Sequence, residues 1–225
     1  MKGQGYPPLD VGTLEKGCEE FERREPRDAM YRVARDLVQR WWPNPERVAD
    51  GLGVLLLTWN QAFYRYGAPD FDALESFLVR QGETLETLRR RSILDFGTIE
   101  EGIARGVFDG MLDALKAKRP AGSGFRLTPV GTAKALHLIC PELFPLWDGA
   151  IAKAYGCYWG TSQRAASAYI AFMKIVGALL EALGKEAPLD EITRRLNARA
   201  RFEKPLLKFV DEYNYSRFTQ RPPWI

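Results

Sequence analysis

The stretch LTPVGTAKALHLICPELFPLWDGAIAKAYG, residues 127–156, is the part of the sequence that bears most on the fold. Its Pro-Val-Gly turn predicts the start of a short apolar helix over residues 132–139, and two prolines then bracket a loop. Asp148 stands directly before GAIAKAY and is expected to open the next helix, because aspartate is a preferred helix N-cap. A catalytic carboxylate would suit the same position, so the sequence leaves both roles open for Asp148.

Helical patterns extend over most of the remaining chain. Apolar residues recur at steps of three and four, and helix-ending Pro or Gly residues follow several of the runs. The predicted helices lie in RDAMYRVARDLVQRWW, PERVADGLGVLLLTWNQAFYRYG, DFDALESFLVRQ, TLETLRRRSILD, TIEEGIARGVFDGMLDALKAKR, SQRAASAYIAFMKIVGALLEAL, PLDEITRRLNARAR and KPLLKFVDEYNY. Asp70 or Asp72 is the expected N-cap of the helix in DFDALESFLVRQ, and Thr84 is the expected N-cap of the helix in TLETLRRRSILD. PAGSGF is the expected flexible link. No run shows sustained strand alternation, so we expect an all-α fold.

The chain is long enough to form one large domain or two small lobes. It has 225 residues, of which 46% are hydrophobic and 27% charged, a composition typical of folded globular proteins. We expect a single all-α unit over residues 1–225. Its expected parts are the central helices, residues 48–126; the hairpin and Asp148 segment, residues 127–158; and a second lobe formed by residues 1–47 and 159–225.

Several classes of protein and site are disfavoured by the composition. The first residues, MKGQGYPPLD, have no apolar core, and no apolar run approaches a membrane span in length, so we expect no membrane partner and a cytoplasmic location. Cys18, Cys140 and Cys157 are odd in number and far apart, which favours small core residues over disulfides or an iron-sulfur site. With His137 as the one histidine, we expect no metal site and no cofactor.

The charge distribution permits nucleic-acid binding. The net charge is +3 and the isoelectric point is near 8.7. The segment RRLNARARFEKPLLK concentrates six cations, Arg194, Arg195, Arg199, Arg201, Lys204 and Lys208, against the single acid Glu203. This segment predicts either a phosphate-facing surface or a solvated helix face.

Two segments resemble those of the helix-hairpin-helix DNA glycosylases. LTPVGTAKA resembles their hairpin, a turn ending in Val-Gly that leads into a helix, and PLWDGAIAKAYG is similar to the segment after it, with Asp148 followed by a basic residue, here Lys153. The wording is closest to the adenine-mismatch and endonuclease III-like glycosylases. The earlier LLLTWNQAFYRY resembles the buried helix of the family that leads into a DNA-contacting Gln, a position held here by Asn60 or Gln61. The resemblance spans residues 48–158.

The resemblance implies a two-lobed helical fold with a helix-hairpin-helix motif, and DNA as the partner. The implied activity is hydrolysis of the N-glycosidic bond of a damaged or modified base. Asp148 would stabilise the positively charged sugar in the transition state, and Lys134 would be the Schiff-base amine of an enzyme that also cuts the strand. The backbone amides of Gly131, Thr132 and Ala133 would bind a DNA phosphate, as helix N-termini do.

Two features depart from the pattern of the family. Pro129 replaces the first glycine of the turn and removes one N–H donor. Lys134 lies three residues after Gly131, whereas the lysine of the family lies two residues after the equivalent glycine. One residue on a helix corresponds to a rotation of about 100°, which would turn the Lys134 amine away from the position of the family's lysine. We therefore expect a monofunctional glycosylase in which Asp148 acts without a Schiff-base lysine.

Several candidate residues also have purely structural explanations. Lys134 could face solvent, and His137 is expected to be a core residue with satisfied hydrogen bonds. Trp59, Tyr64 and Trp147 could stack a flipped base, although aromatic side chains at such spacing are more often core residues.

The alternative hypothesis is a non-catalytic helical protein that uses the same scaffold to bind nucleic acid or another protein. The packing around Asp148 separates the two hypotheses. An enzyme needs a cavity of nucleobase size with Asp148 at its mouth and basic side chains nearby, whereas solid packing over Asp148 would favour the binding protein.

Overall fold

A computed structural model describes residues 9–65, 69–98, 101–118 and 124–220. Helices account for 73% of the structure and strands for 2%, which confirms the predicted all-α class. The strands form one short antiparallel pair, β1 (Ala117–Lys118) and β2 (Phe125–Arg126), with Ala117 opposite Arg126. The core is therefore built by packing helices against one another.

The helices follow the order of the predicted segments, with differences at four places. Their bounds are α1 Val11–Arg24, α2 Ala29–Trp41, α3 Pro45–Trp59, α4 Gln61–Tyr64, α5 Phe71–Arg89, α6 Glu101–Ala114, α7 Pro129–Ile139, α8 Gly149–Ala154, α9 Ala165–Leu183, α10 Leu189–Asn197 and α11 Leu206–Asn214. Short 3-10 turns cover Ile93–Thr98 and Ser162–Arg164, and a π-helical turn, Tyr215–Thr219, follows α11.

The first difference is that α5 and the 3-10 turn after it replace the two helices predicted across residues 70–95. Asp70 is the N-cap of α5, accepting a hydrogen bond from the Ala73 N–H at 3.0 Å, as predicted. Thr84 lies inside the helix, so its predicted role as a second cap is wrong. The helix continues through Gly82 because one glycine costs only about 1 kcal/mol there, and the burial of Leu85 beyond it offsets that cost.

Three other boundaries differ from the prediction. The helix predicted over residues 98–119 ends at Ala114, and β1 lies in what was predicted to be its last turn, where it pairs with β2. The helix predicted over residues 45–67 is divided at Asn60 into α3 and α4. α1 lies where the sequence analysis predicts no helix, although Asp10 and Thr13 form a capping box at its start. The predicted PAGSGF link lies outside the described residues except for Gly124 and Phe125.

The two ends of the described chain pack together. α1 buries Leu14, Cys18 and Phe21 along one face and contacts α11 and the π-helical turn. Gly17 allows the close approach, since a Cβ atom there would lie 2.8 Å from Cδ2 of Tyr213. The π-helical turn also contacts α8, so this packing brings the C-terminal turn beside Asp148.

α7 lies within a shell of helices. It packs against α2, α3 and α6, while α3 also packs against α5, and α6 against α9. Every side chain of α7 is buried except those of Val130 and Lys134, which are half-buried. Lys134 is therefore the one charged position at which this interior helix reaches a less enclosed region.

One segment of the described residues, Ser162–Leu183, is long and apolar enough to cross a membrane by length and composition. The expectation that no apolar run approaches this length is therefore wrong. The most apolar part of the segment is 50% buried within the protein, and a helix of a protein core meets the same two criteria.

Candidate active site

Asp148 is the N-cap of α8, as its position in the sequence predicts. Its Oδ1 accepts hydrogen bonds from the N–H groups of Ala150 and Ile151, both at 2.8 Å. Its Oδ2 accepts a hydrogen bond of 2.6 Å from the Thr219 hydroxyl, in the π-helical turn. The backbone thus fixes one carboxylate oxygen, and a side chain distant in sequence binds the other.

A cavity of about 310 Å³ adjoins Asp148. It is lined by Phe21, Glu25, Asp28, Ala29, Met30, Thr58, Trp59, Lys134, Leu146, Trp147, Asp148, Ile151, Lys208, Asp211 and Tyr215. Lys134 shares this cavity with Asp148, so the expectation that its position on the helix would turn it elsewhere is wrong. Since α7 is buried on its other faces, the cavity side is the one on which a lysine can be accommodated.

The Lys134 ammonium has partners but lies in a poorly solvated position. Its Nζ donates to the Trp59 carbonyl at 2.8 Å and lies 4.5 Å from the centre of the Trp59 ring. Burial lowers the pKa of Lys134 to about 8, and the carboxylates of Asp211 and Asp148 partly oppose that shift. The Lys134 side chain is half-buried and lines the cavity, so it is not the solvent-facing helix residue of the alternative interpretation.

The cavity lining also contains a buried ion cluster, centred on Lys208. The Lys208 Nζ lies 3.2 Å from Asp28 Oδ2 and 3.1 Å from Asp211 Oδ2. It also lies 4.5 Å from the Phe21 ring centre. Burial alone would lower the pKa of Lys208, but Asp211, Asp28 and Glu212 hold that pKa well above its usual range. The cluster is therefore a fixed pattern of charge beside the cavity.

Asp28 has an unusual backbone conformation. Its φ of 35° places it in the left-handed region, and its side chain does not cap α2, which begins at the next residue. Aspartate is one of the few non-glycine residues that tolerate this region, at a cost of about 1–3 kcal/mol. The turn directs the Asp28 carboxylate toward Lys208 instead of toward the helix.

The predicted phosphate-binding amides already have partners within the protein. Gly131, Thr132 and Ala133 are all buried in the first turns of α7. The Gly131 N–H donates to the Thr128 hydroxyl at 3.0 Å, and the Thr132 N–H donates to the Thr128 carbonyl at 2.9 Å. The Asn60 side chain in turn donates to the same hydroxyl at 2.7 Å. A phosphate contact at Gly131 or Thr132 would have to displace Thr128.

The predicted helix over residues 132–139 is present within α7, and a helix follows Asp148 as predicted. In the described part of residues 115–128, the elements that precede α7 are β1 and β2. A helix-hairpin-helix motif has a helix directly on each side of its hairpin. The helical segments are thus confirmed, while the motif stays a proposal.

The predicted base-stacking residues differ in their surroundings. Trp59 and Trp147 both line the cavity. Trp147 is only 1% exposed and stacks on Phe172, with ring centres 5.7 Å apart, so it is a rigid part of the wall. Trp59 is half-buried and offers more of its ring. Tyr64 lies outside the cavity lining, buried, with its hydroxyl bonded to the Leu115 carbonyl at 2.9 Å.

The remaining predicted DNA contacts are dispersed. Lys153 is exposed on α8, with its Nζ 4.8 Å from the Tyr158 ring centre, and it does not line the cavity. Asn60 binds Thr128 and thereby holds the start of α7. The side chain of Gln61 lies outside the described residues.

His137 and the cysteines are core residues, as predicted. His137 Nδ1 is 2.8 Å from the Phe144 carbonyl oxygen and Nε2 is 3.1 Å from the Tyr31 hydroxyl, and burial lowers the pKa of His137 to about 3. All three cysteines, Cys18, Cys140 and Cys157, are buried and free.

The basic segment at residues 194–208 is largely paired internally. Arg199 lies 3.1 Å from Glu19 on α1, and Lys204 lies 2.7 Å from Glu22. Lys204 and Lys208 are both buried. Neither predicted use of the segment, a phosphate-facing surface or a solvated helix face, therefore applies to these two lysines.

Four residues that contact Asp148 or line the cavity with Asp148 and Lys134 were not predicted from the sequence as site residues, namely Asp28, Lys208, Asp211 and Thr219. The spacing of Lys208 and Asp211 on one helix is typical of an ion pair, but such pairs are usually exposed. Thr219 lies 71 residues from Asp148 in sequence and carries no local signal. Comparisons of the chain with protein families, curated proteins and solved structures found no match.

Proposed function

We propose that the cavity beside Asp148 is the active site of a DNA glycosylase-like hydrolase, which removes a damaged or modified base by cleaving its N-glycosidic bond. The observation that carries the proposal is that Asp148 and Lys134, on different helices, line one cavity together with Trp59 and Trp147. A carboxylate, a weakly basic amine and an aromatic wall are the groups that this reaction uses.

Asp148 would stabilise the sugar cation that forms as the base departs. The backbone N–H groups hold Oδ1, so the carboxylate is preorganised and needs little rearrangement during the reaction. Oδ2 has a hydroxyl partner, Thr219, which can rotate and exchange for a water molecule or the sugar. We therefore assign Oδ2 as the oxygen that faces the reacting centre.

Lys134 gives the proposed site a second chemical capacity. After base release, the deoxyribose opens to an aldehyde at C1′, and a neutral amine can condense with that aldehyde, forming a Schiff base and releasing water. The pKa of about 8 makes the amine of Lys134 available for this step near neutral pH. Loss of a C2′ proton from that Schiff base would break the C3′–O bond and release the 3′ phosphate, so strand cleavage is a candidate second activity beside the monofunctional reaction that the sequence favours.

The base would enter the cavity only after leaving the duplex, since an enzyme that acts on a base must expose it first. The cavity volume of about 310 Å³ lies near the lower end of the range for small-ligand sites. The half-buried Trp59 is the more accessible ring for stacking. The affinity for DNA should then fall steeply with salt, because phosphate contacts release counterions.

The test is a screen of duplex and single-stranded oligonucleotides that carry different lesions, repeated with Asp148→Asn. Asparagine also caps helices well, so this variant should unfold at nearly the wild-type temperature. Base release should fall about a hundredfold or more, because the negative charge is lost. Lys134→Ala should abolish any strand nicking but leave base release in place.

Two results would contradict the proposal. Full base release by Asp148→Asn would reduce Asp148 to a helix cap. Salt-dependent DNA binding with no base release from any substrate would support the alternative, a non-catalytic nucleic-acid-binding protein on the same scaffold.

A further inference from the structure

An exposed aromatic ring lies beside the start of α8. The Tyr158 side chain belongs to a residue that is 49% exposed. A Cβ atom at Gly149, the residue directly after Asp148, would lie 3.9 Å from Cε2 of the Tyr158 ring. Tyr158 does not line the cavity itself. Its ring is therefore a surface feature next to the carboxylate that we assign to the proposed reaction.

Two less exposed rings support Tyr158. The ring centres of Tyr158 and Trp159 are 4.9 Å apart, and those of Trp159 and Trp147 are also 4.9 Å apart. Trp159 is half-buried against the core, and Trp147 is part of the cavity wall. Three rings in contact thus extend from the cavity wall to the surface. Because the inner two are held by the core, Tyr158 has a rigid support and loses little side-chain freedom when it binds a partner.

The loop that carries Tyr158 has a defined conformation. Gly156 and Gly160, on either side of it, have φ values of 68° and 63°, in the left-handed region that favours glycine. The Thr161 N–H donates a hydrogen bond of 2.6 Å to the Trp159 carbonyl. These two turns hold the loop in the shape that leaves the Tyr158 ring exposed.

The segment that contains Tyr158 carries only positive charges. Residues 149–180 include Lys153, Arg164 and Lys174 but no aspartate or glutamate. The Lys153 Nζ lies 4.8 Å from the Tyr158 ring centre. Lys153 and Arg164 are exposed, and neither forms an ion pair within the described part of the chain. Lys153 is therefore a cation beside the exposed ring whose charge no carboxylate neutralises.

An exposed ring with an unpaired cation beside it fits the chemistry of a single nucleic-acid strand. An unpaired base stacks on an aromatic side chain, and a phosphate binds an ammonium group. Both groups can be used at once, because the Lys153 ammonium is carried on a flexible four-carbon stem. It can turn from the Tyr158 ring to a phosphate when a base takes its place on the ring.

We propose that Tyr158 and Lys153 form a binding site for the DNA strand beside the cavity. An unpaired base near the excised one stacks on Tyr158, and Lys153 binds a phosphate of the same strand. This inference rests on the proposed function in taking DNA as the partner. Binding of undamaged DNA requires no base release, so the strand site and the proposed reaction can be tested separately.

The test measures binding of two undamaged single strands by fluorescence anisotropy at low salt. One is a thymidine oligonucleotide of about twelve nucleotides, and the other is an abasic oligonucleotide of the same length. The two strands have the same phosphates and differ only in their bases. The wild type should bind the thymidine strand about tenfold more tightly than the abasic strand. Tyr158→Ala should lose most of this preference, whereas Tyr158→Phe should keep it because the ring remains.

Phe125→Ala is the matched control for the loss of an exposed ring. Phe125 is also 49% exposed, and the Lys116 Nζ lies 5.0 Å from its ring centre. Lys116, however, is paired with Asp113 at 2.7 Å, so Phe125→Ala should keep the wild-type preference. Lys153→Gln should weaken the binding of both strands by a similar factor and reduce its salt dependence, because it removes one phosphate contact.

Four results would overturn the proposal: no binding of either strand, equal binding of the two strands by the wild type, an unchanged preference in Tyr158→Ala, or the same loss of preference in Phe125→Ala. Base release measured with the same variants distinguishes the two proposals. Loss of the strand preference beside intact base release would refute the strand site alone. A Tyr158-dependent preference without base release from any lesion would refute the proposed reaction and leave the strand site in place.

Discussion

The two carboxylate oxygens of Asp148 have different partners. This difference allows Asp148 to be both a helix cap and a catalytic group, two roles between which the sequence alone does not decide. Oδ1 caps α8 through two backbone N–H groups, which is the local function that the position predicts. Oδ2 contacts only one side chain, the Thr219 hydroxyl, among the hydrogen bonds of the described residues. A single carboxylate can thus support the fold with one oxygen and remain available for chemistry with the other.

The titration of Lys134 tests the electrostatics of the cavity. In the wild type, the amine should titrate near pH 8, because burial disfavours its charged form. Asp148 opposes this shift, so Asp148→Asn should lower the pKa of Lys134 further. Nuclear magnetic resonance of lysine labelled at Cε measures both values. Glu20→Gln is the control, because Glu20 does not line the cavity. An unchanged Lys134 pKa in Asp148→Asn would show that Asp148 and Lys134 do not interact.

Removal of the Thr219 hydroxyl tests the positioning of Asp148. Thr219→Val keeps the side-chain shape but loses the 2.6 Å hydrogen bond to Oδ2. Stability should fall by about 1 kcal/mol, and kcat for base release should fall while KM changes little, because the substrate contacts remain.

Thr219→Ser restores a hydroxyl and should recover most of that kcat. Thr193→Val is the matched control, since it removes a hydroxyl that binds the Leu189 carbonyl at 2.7 Å on α10. If Thr193→Val lowered kcat as much as Thr219→Val, the effect would reflect general stability instead of the orientation of Asp148.

At the scale of helices, local sequence signals were sufficient where a cap and a periodic apolar face coincide. Asp70 before α5 and Asp148 before α8 are correct predictions of this kind. The prediction was wrong at Thr84, because tertiary packing carries α5 through a residue that resembles a cap. α1 was missed because its glutamates and arginines obscure a narrow buried face, which is recognisable only once α11 lies against it.

The close contact between α1 and α11 at Gly17 can be tested by comparing alanine substitution there with alanine substitution at an exposed glycine, Gly106. Gly17→Ala should destabilise the protein by about 1–3 kcal/mol, because the new methyl group would lie 2.9 Å from the Tyr213 backbone. Gly106→Ala, inside α6, should stabilise it by about 0.5–1 kcal/mol, since no described atom lies within 4 Å of the new Cβ. Urea denaturation measures both. A Gly17→Ala variant as stable as Gly106→Ala would show that α1 and α11 are not closely packed.

At the scale of the whole molecule, the candidate site depends on contacts between distant parts of the chain. Asp148 was predictable as a helix cap beside a possible site, because its signal lies within residues 127–156. Lys134 was a candidate from the same stretch, but its place in the cavity lining was not predicted. Lys208, Asp211 and Thr219 reach the site only because α1 and α11 pack together and bring the C-terminal turn against α8. Burial of Lys208 among carboxylates follows from that packing, and nothing in a lysine-rich segment distinguishes it beforehand from an exposed lysine.

The buried ion cluster provides the final prediction, because it joins the end of the chain to the cavity wall. Lys208→Met removes the buried ammonium and leaves the half-buried carboxylates of Asp28 and Asp211 without their cation. Stability at pH 7.5 should fall by about 3–5 kcal/mol. Burial already raises the pKa of Asp211, and loss of the Lys208 ammonium should raise it further. The folded state then binds more protons than the unfolded one, so the loss of stability shrinks as the pH falls toward 5. Lys174→Met, which breaks an exposed pair with Glu101, should cost less than about 1 kcal/mol at either pH. Urea denaturation at pH 7.5 and pH 5 measures the stability of both variants. If Lys208→Met lost as little stability as Lys174→Met, water would reach the ion cluster, and the cluster would contribute no fixed charge to the cavity.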